Sequence, residues 1–159
     1  MASAEIALLR HTLATLAYRS RKVLKDVPAG FADFRPEGDA RSAGQVLAHM
    51  GDLFDWALHM VEGRQVWHDS APLPWDDEAK RFYATLRQVD ARLAEGREIA
   101  VPAGSVFQGP VADALTHLGQ LALMRRLAGA PVKAENYFKA EIVGGRIDPA
   151  EQTPPRREF

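Results

Sequence analysis

Asp113 and His117 stand four residues apart in a segment with helical apolar periodicity, and this pair is the strongest chemical signal in the sequence. One helical turn separates them, so both side chains can reach a single point. At about 100° per residue they share one face with Gln120 and with apolar residues that predict a core-facing stripe. The apolar members are Leu121, Met124, Leu127 and Ala128. Because a polar side chain on such a stripe is costly without a partner, the pattern indicates two ligands of one metal ion.

His49 is the histidine best placed to complete such a site. It lies at the edge of the apolar stripe of an earlier helix. Its neighbours at that edge are Leu53, Trp56 and Met60. The other histidines fit less well, since His11 and His59 lie opposite the apolar stripes of their helices and His68 falls in a connection. Two imidazoles and one carboxylate would leave open coordination positions for water or substrate, as in catalytic rather than structural metal sites.

Each of these residues also has an interpretation without a metal. His49 could be a hydrogen-bonded core histidine, and Asp113 could stabilise the positive end of its own helix. His117 could hydrogen-bond a neighbouring helix. Gln120 could form an interhelical hydrogen bond or could orient a metal ligand from behind. The spacing alone leaves both interpretations open.

Four stretches with apolar residues at three- and four-residue steps predict four helices. They cover about 4–25, 43–62, 76–95 and 110–127. Ser42 and Gln45 predict a capping box at the start of the second helix, and Pro110 suits the first turn of the fourth. Amphipathic helices of this length bury their stripes best against one another, so the fold class is predicted as an all-α four-helix bundle.

The remaining segments set the expected domain limits. Residues 97–109 are predicted as a loop, and 131–147 carry enough apolar side chains to pack on the bundle as an irregular C-terminal extension. Residues 148–159 hold three prolines and many charges, so we expect a flexible tail or one draped over the surface. A single domain over residues 1–147 follows from this division.

The composition excludes several classes of function. The chain has 159 residues, 47% of them hydrophobic and 26% charged, and its net charge is −1. Acids and bases are interspersed, which argues against binding to nucleic acid or to an anionic membrane surface. The absence of cysteine excludes disulfides, cysteine nucleophiles and thiolate metal sites. No segment has the pattern of a signal peptide or a membrane span, so we expect a cytoplasmic location.

Two segments resemble the DinB/YfiT-like superfamily. The stretch from Asp113 through Thr116-His117-Leu118-Gly119-Gln120-Leu121 to Arg125-Arg126-Leu127 resembles the final bundle helix of that family. The stretch Arg41-Ser42-Ala43-Gly44-Gln45-Val46-Leu47-Ala48-His49-Met50 resembles its second helix, which carries the first metal ligand. The order and separation of the two segments also fit, and the resemblance covers most of residues 1–128.

The resemblance implies a left-handed four-helix bundle with one divalent metal ion at His49, Asp113 and His117. Zinc or nickel is the usual metal, with iron or manganese as alternatives. Some branches of the family transfer low-molecular-weight thiols or isomerise with their help, and others are described as metal-dependent hydrolases. The usual family motif has histidine at the position of Asp113, although some thiol-using branches have an acid there. This departure changes the charge of the site and its metal preference.

Two function classes follow, and a third has little support. The first is a metal enzyme acting on a small molecule, with Trp56, Met60, Phe107 and Tyr137 as candidate pocket residues and Gln120 behind a ligand. The second is a non-catalytic, stress-related binding or scaffold bundle. A second apolar group on the reverse face of the last helix would serve a homodimer or pack on the C-terminal segment: Val111, Leu115, Leu118 and Ala122. The third, nucleic-acid binding, is opposed by the charge balance.

Overall fold

The computed structural model describes residues 3–159, and this part of the chain is helical throughout its regular structure, with no strand. The helices are α1 (Ala4–Leu24), α2 (Ala43–Val61), α3 (Trp75–Ala94), α4 (Ala103–Val106) and α5 (Ala112–Leu127). A π-helical segment, Phe107–Val111, joins α4 to α5 without a break, so these three pieces form the fourth helix of the bundle. The predicted all-α four-helix bundle is confirmed.

The start of α2 is fixed by the capping box that the sequence predicts. The Ser42 hydroxyl accepts a hydrogen bond from the Gln45 backbone N–H at 3.2 Å, and the Gln45 side chain accepts one from the Ser42 N–H at 2.9 Å. Two backbone donors that would otherwise be unpaired at the helix start are therefore satisfied. This cap sets the register of the helix that carries His49.

Contacts at the helix ends define the topology. α1 and α2 lie diagonally opposite each other, and each packs against α3 and α5. The indole of Trp75, the first residue of α3, donates to the Leu24 carbonyl at the end of α1. Arg92, near the end of α3, pairs with Glu62 just beyond the end of α2. α2 and α3 therefore run parallel to each other and antiparallel to α1, and the connection 62–74 returns the chain along the bundle.

Arg125 completes this arrangement at the end of α5. Its guanidinium donates to backbone carbonyls of Lys22, Val23, Lys25 and Asp26, beyond and within the last turn of α1, and to the Ala130 carbonyl. These acceptors are the carbonyls that a helix leaves unpaired at its C-terminus. The contact makes α5 parallel to α1 and gives an up–down–down–up bundle.

The prediction about the fourth helix is wrong at its beginning. Residues 103–109 are helical rather than a loop, and Pro110 lies inside the π-helical segment rather than at the first helical position. Proline lacks an N–H and its ring collides with the preceding turn, so it cannot continue a regular α-helix. The wider π turn accommodates the ring and lets the helix continue.

The buried face of α5 also differs from the predicted stripe. Because α5 packs between α1 and α2, its buried residues face both helices: Val111, Ala114, Leu118, Leu121 and Met124. Leu127, assigned to the core, is 57% exposed. Val111 and Leu118, assigned to the reverse face, are buried, so that face offers no separate apolar surface for a dimer. Asp113 and His117 lie on the flank that faces α2.

The C-terminal segment runs back along α1. Glu135 and Glu158 form an antiparallel bridge, and the Phe159 N–H donates to the Ala134 carbonyl. Gln152 is buried, and its carbonyl accepts from Arg21 of α1. These contacts place residues 148–159 against the bundle. Among the described residues, no helix combines the length and apolar character needed to cross a membrane.

Candidate metal centre

His49 of α2 and the Asp113–His117 pair of α5 converge where these two helices face each other. The Nε2 atom of His49 lies 3.4 Å from Oδ2 of Asp113, and the Nε2 atom of His117 lies 3.4 Å from Oδ1. The two imidazole rings are nearly perpendicular, with centroids 4.8 Å apart. One ligand atom from each residue lies within 4.8 Å of the other two. The three predicted ligands therefore meet at one point.

Gln120 determines which nitrogen of His117 faces the site. The Nδ1 atom of His117 lies 2.8 Å from Oε1 of Gln120, an oxygen that can only accept, so Nδ1 carries the proton. In the neutral ring, Nε2 then presents a lone pair toward Asp113, whose carboxylate oxygens are also acceptors. Two acceptors at 3.4 Å repel each other unless a cation lies between them. Gln120 thus contacts the His117 ring on the side away from Asp113, which is the position that the second of its two predicted roles requires.

This donor set fits a divalent metal ion. Ligand atoms about 2.1 Å from a tetrahedral ion are about 3.4 Å from one another. The two separations between imidazole nitrogen and carboxylate oxygen have that value, each to a different oxygen of Asp113, and one ligand atom from each of the three residues lies within 4.8 Å of the other two. Two imidazoles and one carboxylate suit zinc, nickel or iron and leave at least one coordination position for another molecule.

Burial differs among the three side chains in a way that bears on access. The imidazoles of His49 and His117 are 16% and 12% exposed, whereas the Asp113 carboxylate is 46% exposed. Burial lowers the pKa of His49, and the positive charge of Arg41 and the His117 ring lower it further, against the opposing effect of Asp113. The His49 ring is therefore neutral near pH 7 and has a lone pair available for a metal. The carboxylate side opens the site to solvent.

Trp67, which sequence reasoning did not assign to the site, forms one wall. Its ring lies edge-on to His49 with centroids 5.5 Å apart, and edge-on to Trp56 at 5.9 Å. Trp56 in turn borders Gly109 in the π-helical segment, where an added Cβ would meet the indole at 3.7 Å. The signal available in the sequence was weak: an aromatic residue in a proline-rich connection.

The segment that carries Trp67, which we call the strap (residues 64–74), is fastened by buried carboxylates. Asp52 of α2 accepts from the Ser70 N–H and hydroxyl at 2.9 and 2.7 Å. Glu78 of α3 accepts from the Leu73 N–H at 2.8 Å. Both acids are almost fully buried. These anchors hold the strap across the bundle so that Trp67 lies against His49.

The other predicted pocket residues lie farther away. Met60 is eleven residues beyond His49 on α2, about 16 Å along the helix axis. The ring of Tyr137 lies edge-on to Tyr18 and 4.0 Å below the Arg19 guanidinium, so its contacts are with α1. Phe107 is 48% exposed in the π-helical segment. Of this group, only Trp56 is linked to the three ligands, through Trp67.

The remaining histidines have other partners. His11 is exposed on α1. His59 Nδ1 lies 2.8 Å from the Asp55 carbonyl oxygen, and His68 Nδ1 lies 2.6 Å from the Asp55 carboxylate. In the described part of the chain, His49, Asp113 and His117 form the one group of three side chains placed to hold a metal ion.

Comparison with known proteins agrees with the helical bundle. No curated protein and no solved structure matches the chain significantly. A family model described as the DinB superfamily matches residues 12–126, a span that includes His49, Asp113 and His117. Because this match covers well over half of the sequence, the chain belongs to the DinB superfamily.

Proposed function

We propose that this protein is a divalent-metal-dependent enzyme that acts on a small molecule, with a low-molecular-weight thiol as co-substrate in a transfer or isomerisation reaction. The observation that carries the proposal is the meeting of two imidazoles and one carboxylate from two helices at one half-exposed point. The unpaired contact between the His117 lone pair and Asp113 is unfavourable for the protein alone and favourable around a cation. Thiol use is taken from the branches of the family that have an acid at the position of Asp113.

A bound zinc or nickel ion would supply Lewis acidity, which lowers the pKa of a thiol or water in its open coordination position. His49, Asp113 and His117 would act as ligands rather than as acids or bases. Gln120 holds the His117 ring in the ligating tautomer. Trp67 shields His49 from bulk water, and the exposed side of Asp113 leaves the path by which a small molecule enters.

Metal binding is tested by calorimetry on protein stripped with a chelator. We expect one Zn²⁺ or Ni²⁺ per chain, and a loss of at least 100-fold in affinity for His49→Ala, since a ligand is removed. His11→Ala is the matched control, because His11 is exposed and distant from the site. Equal affinity in the two variants, or no saturable binding by the wild type, would contradict the proposal.

Activity is tested separately with the metal-loaded protein. A set of low-molecular-weight thiols is mixed with an aromatic halide as electrophile, and thiol consumption is followed. We expect turnover that disappears with His49→Ala and persists with His11→Ala. Turnover of an activated ester without any thiol would instead assign the protein to metal-dependent hydrolysis.

A non-catalytic binding bundle is the second candidate. Leu123 and Leu127 occupy successive turns of α5 and are 56% and 57% exposed, which is consistent with a surface for a second copy of the chain. Light scattering after size-exclusion chromatography tests this candidate. A dimer that Leu123→Glu converts to a monomer, together with no turnover in the thiol and ester assays, would favour it over the enzyme.

A further inference from the structure

A cavity of about 940 Å³ lies at the end of the bundle where α1 ends and α3 begins. Its walls come from these two helices, the end of α5 and the C-terminal segment. Leu24, Ala79 and Val132 contribute apolar surface. None of the three candidate metal ligands and no strap residue borders it. The volume is within the usual range of small-molecule pockets.

The charge of the lining is predominantly positive. Six lysine and arginine side chains border the cavity, against three aspartate and glutamate side chains. Lys22 and Lys133 share the carboxylate of Glu158, and Lys22 also pairs with Glu135. Lys25 lies 3.8 Å from the Asp26 carboxylate and Lys80 lies 3.0 Å from that of Asp77, so all four lysines have a carboxylate partner. The two lining arginines are therefore the cations to consider for a ligand.

Arg21 is the lining cation with unused hydrogen-bonding capacity. Within residues 3–159 no carboxylate oxygen lies within 4.0 Å of its guanidinium, and its one hydrogen bond goes to the Gln152 carbonyl at 3.0 Å. Arg125 also lacks a carboxylate partner, but its donors are used by five backbone carbonyls. A guanidinium has five N–H donors in a planar fork that matches a carboxylate. Arg21 is therefore the natural anchor for an anion here.

Tyr83 provides an independent indication of a ligand. It borders the cavity and is only 6% exposed, yet its hydroxyl has no hydrogen-bond partner among the described residues. Burial raises the pKa of this phenol, so the hydroxyl keeps its proton and remains a donor. Buried polar groups are normally paired. The hydroxyl oxygen has almost no accessible surface, so an acceptor of a bound molecule would satisfy it once the side chains that cover it shift.

We propose that this cavity is a second ligand site, which binds a small organic carboxylate with an apolar body. The carboxylate accepts hydrogen bonds from Arg21 and, after a shift of the side chains that cover its hydroxyl, from Tyr83, while the apolar body packs on Leu24, Ala79 and Val132. Charge-assisted pairing with a guanidinium supplies the selectivity for an anion. The site does not depend on the metal centre, which lies between α2 and α5.

The probe for this site is 2-naphthoate, with the neutral amide 2-naphthamide as its matched control. Calorimetry uses the metal-free full chain. We expect one saturable site for 2-naphthoate, at least tenfold weaker binding of 2-naphthamide, and a loss of tenfold or more in 2-naphthoate affinity for Arg21→Gln. A smaller loss is expected for Tyr83→Phe, which removes only the hydroxyl. Arg64→Gln, at an exposed arginine outside the cavity, should bind as the wild type does.

A second measurement keeps the proposal testable if Arg21→Gln does not fold. In ¹H–¹⁵N spectra of the wild type, 2-naphthoate should shift the amide signals of Ala79, Val132 and Ala150. Shifts confined to the surroundings of His49 and Asp113 would overturn the proposal, because they would assign the binding to the metal centre. Absence of saturable 2-naphthoate binding, or equal affinity in Arg21→Gln and Arg64→Gln, would overturn it as well.

Discussion

The interfaces of α2 with α3 and with α5, which we call the two seams, differ in how their polar side chains are paired. On the side of α3, the Asp52 carboxylate accepts from Arg81 at 2.9 Å and from Ser70, and Glu78 accepts from Arg81 and Leu73. On the side of α5, Nε2 of His49 and Nε2 of His117 each lie 3.4 Å from an oxygen of Asp113, and of these two contacts only that of His49 has hydrogen-bond geometry among the described residues, with the ring as donor when its Nε2 carries the proton. Only three residues separate Asp52 from His49 on the same helix.

The difference separates a structural network from a ligand site. Between α2 and α3 every buried carboxylate meets a donor of the protein, so the network is complete without any other molecule. Between α2 and α5 the Nε2 lone pair of His117 faces a carboxylate oxygen of Asp113, so this contact lacks a positive charge. The carboxylates also differ in burial, since Asp52 and Glu78 are almost fully buried and Asp113 is 46% exposed. The pairing of donors and acceptors distinguishes the two seams.

The largest expected effect is a loss of unfolding free energy when the network of Asp52, Glu78 and Arg81 loses its cation. Arg81→Ala leaves Asp52 and Glu78 buried without their cation, which typically costs about 3–5 kcal/mol. The free energy of unfolding, measured by urea denaturation, should fall by that amount. Arg64→Ala, at an exposed arginine without an ion pair within residues 3–159, should leave it nearly unchanged. A loss below about 1 kcal/mol for Arg81→Ala would show that this network does not stabilise the fold.

The next largest effect is on the stabilisation by metal at the interface between α2 and α5. Asp113→Asn replaces an acceptor by an amide that can donate to an imidazole, so the metal-free protein should unfold at the same urea concentration or a slightly higher one. The wild type should gain about 2.7 kcal/mol from metal at a free concentration 100 times its dissociation constant. Asp113→Asn should gain little of this free energy from metal. Destabilisation of the metal-free variant by more than about 1 kcal/mol would indicate that Asp113 belongs to a structural network.

A smaller loss is expected for Ser70→Ala. This change removes one hydroxyl donor from Asp52 but keeps the Ser70 N–H and Arg81, so the carboxylate remains paired. A hydrogen bond to a charged group contributes about 1.5–3 kcal/mol, and the low end is expected for one donor of three. Urea denaturation measures the change. A loss equal to that of Arg81→Ala would mean that the strap contact, rather than the ion pair, dominates the network.

The smallest expected effect is on metal affinity and tests the role of Gln120. Gln120→Ala removes the acceptor that holds the proton on Nδ1 of His117, and outer partners of this kind contribute about 10–100-fold to metal affinity. Because Gln120 is exposed, we expect about tenfold weaker Zn²⁺ binding by calorimetry, with unchanged stability of the metal-free protein. Gln65→Ala, an exposed glutamine in the strap, is the control. Unchanged affinity would assign Gln120 an ordinary surface role.

The helices could be predicted from sequence because their signals are local. Apolar periodicity located α1, α2 and α3 to within a residue or two, and the Ser42–Gln45 cap was correct. The fourth helix was predicted to begin too late because Pro110 was interpreted as a start. Whether a helix can widen around a proline depends on its surroundings, which periodicity does not describe.

The candidate site was predictable in part. The turn spacing of Asp113 and His117 belongs to one helix and could be read directly. His49 was chosen by its place at the edge of an apolar stripe, and the family resemblance supported that choice. Trp67 and Arg21 carried no comparable signal. Trp67 contacts His49, which lies about eighteen residues earlier in the chain. Arg21 contacts Gln152, which lies about one hundred and thirty residues later.

The sequence by itself determined where the helices lie, how α2 is capped, and that one turn of the last helix presents an acid and an imidazole together. These features depend on residues within a few positions of one another. Only the tertiary structure decided which face of α5 is buried, that His49 meets that turn, and that the strap crosses it. Those outcomes depend on how four helices share one core, because burial and the pairing of polar groups are settled between elements rather than within them.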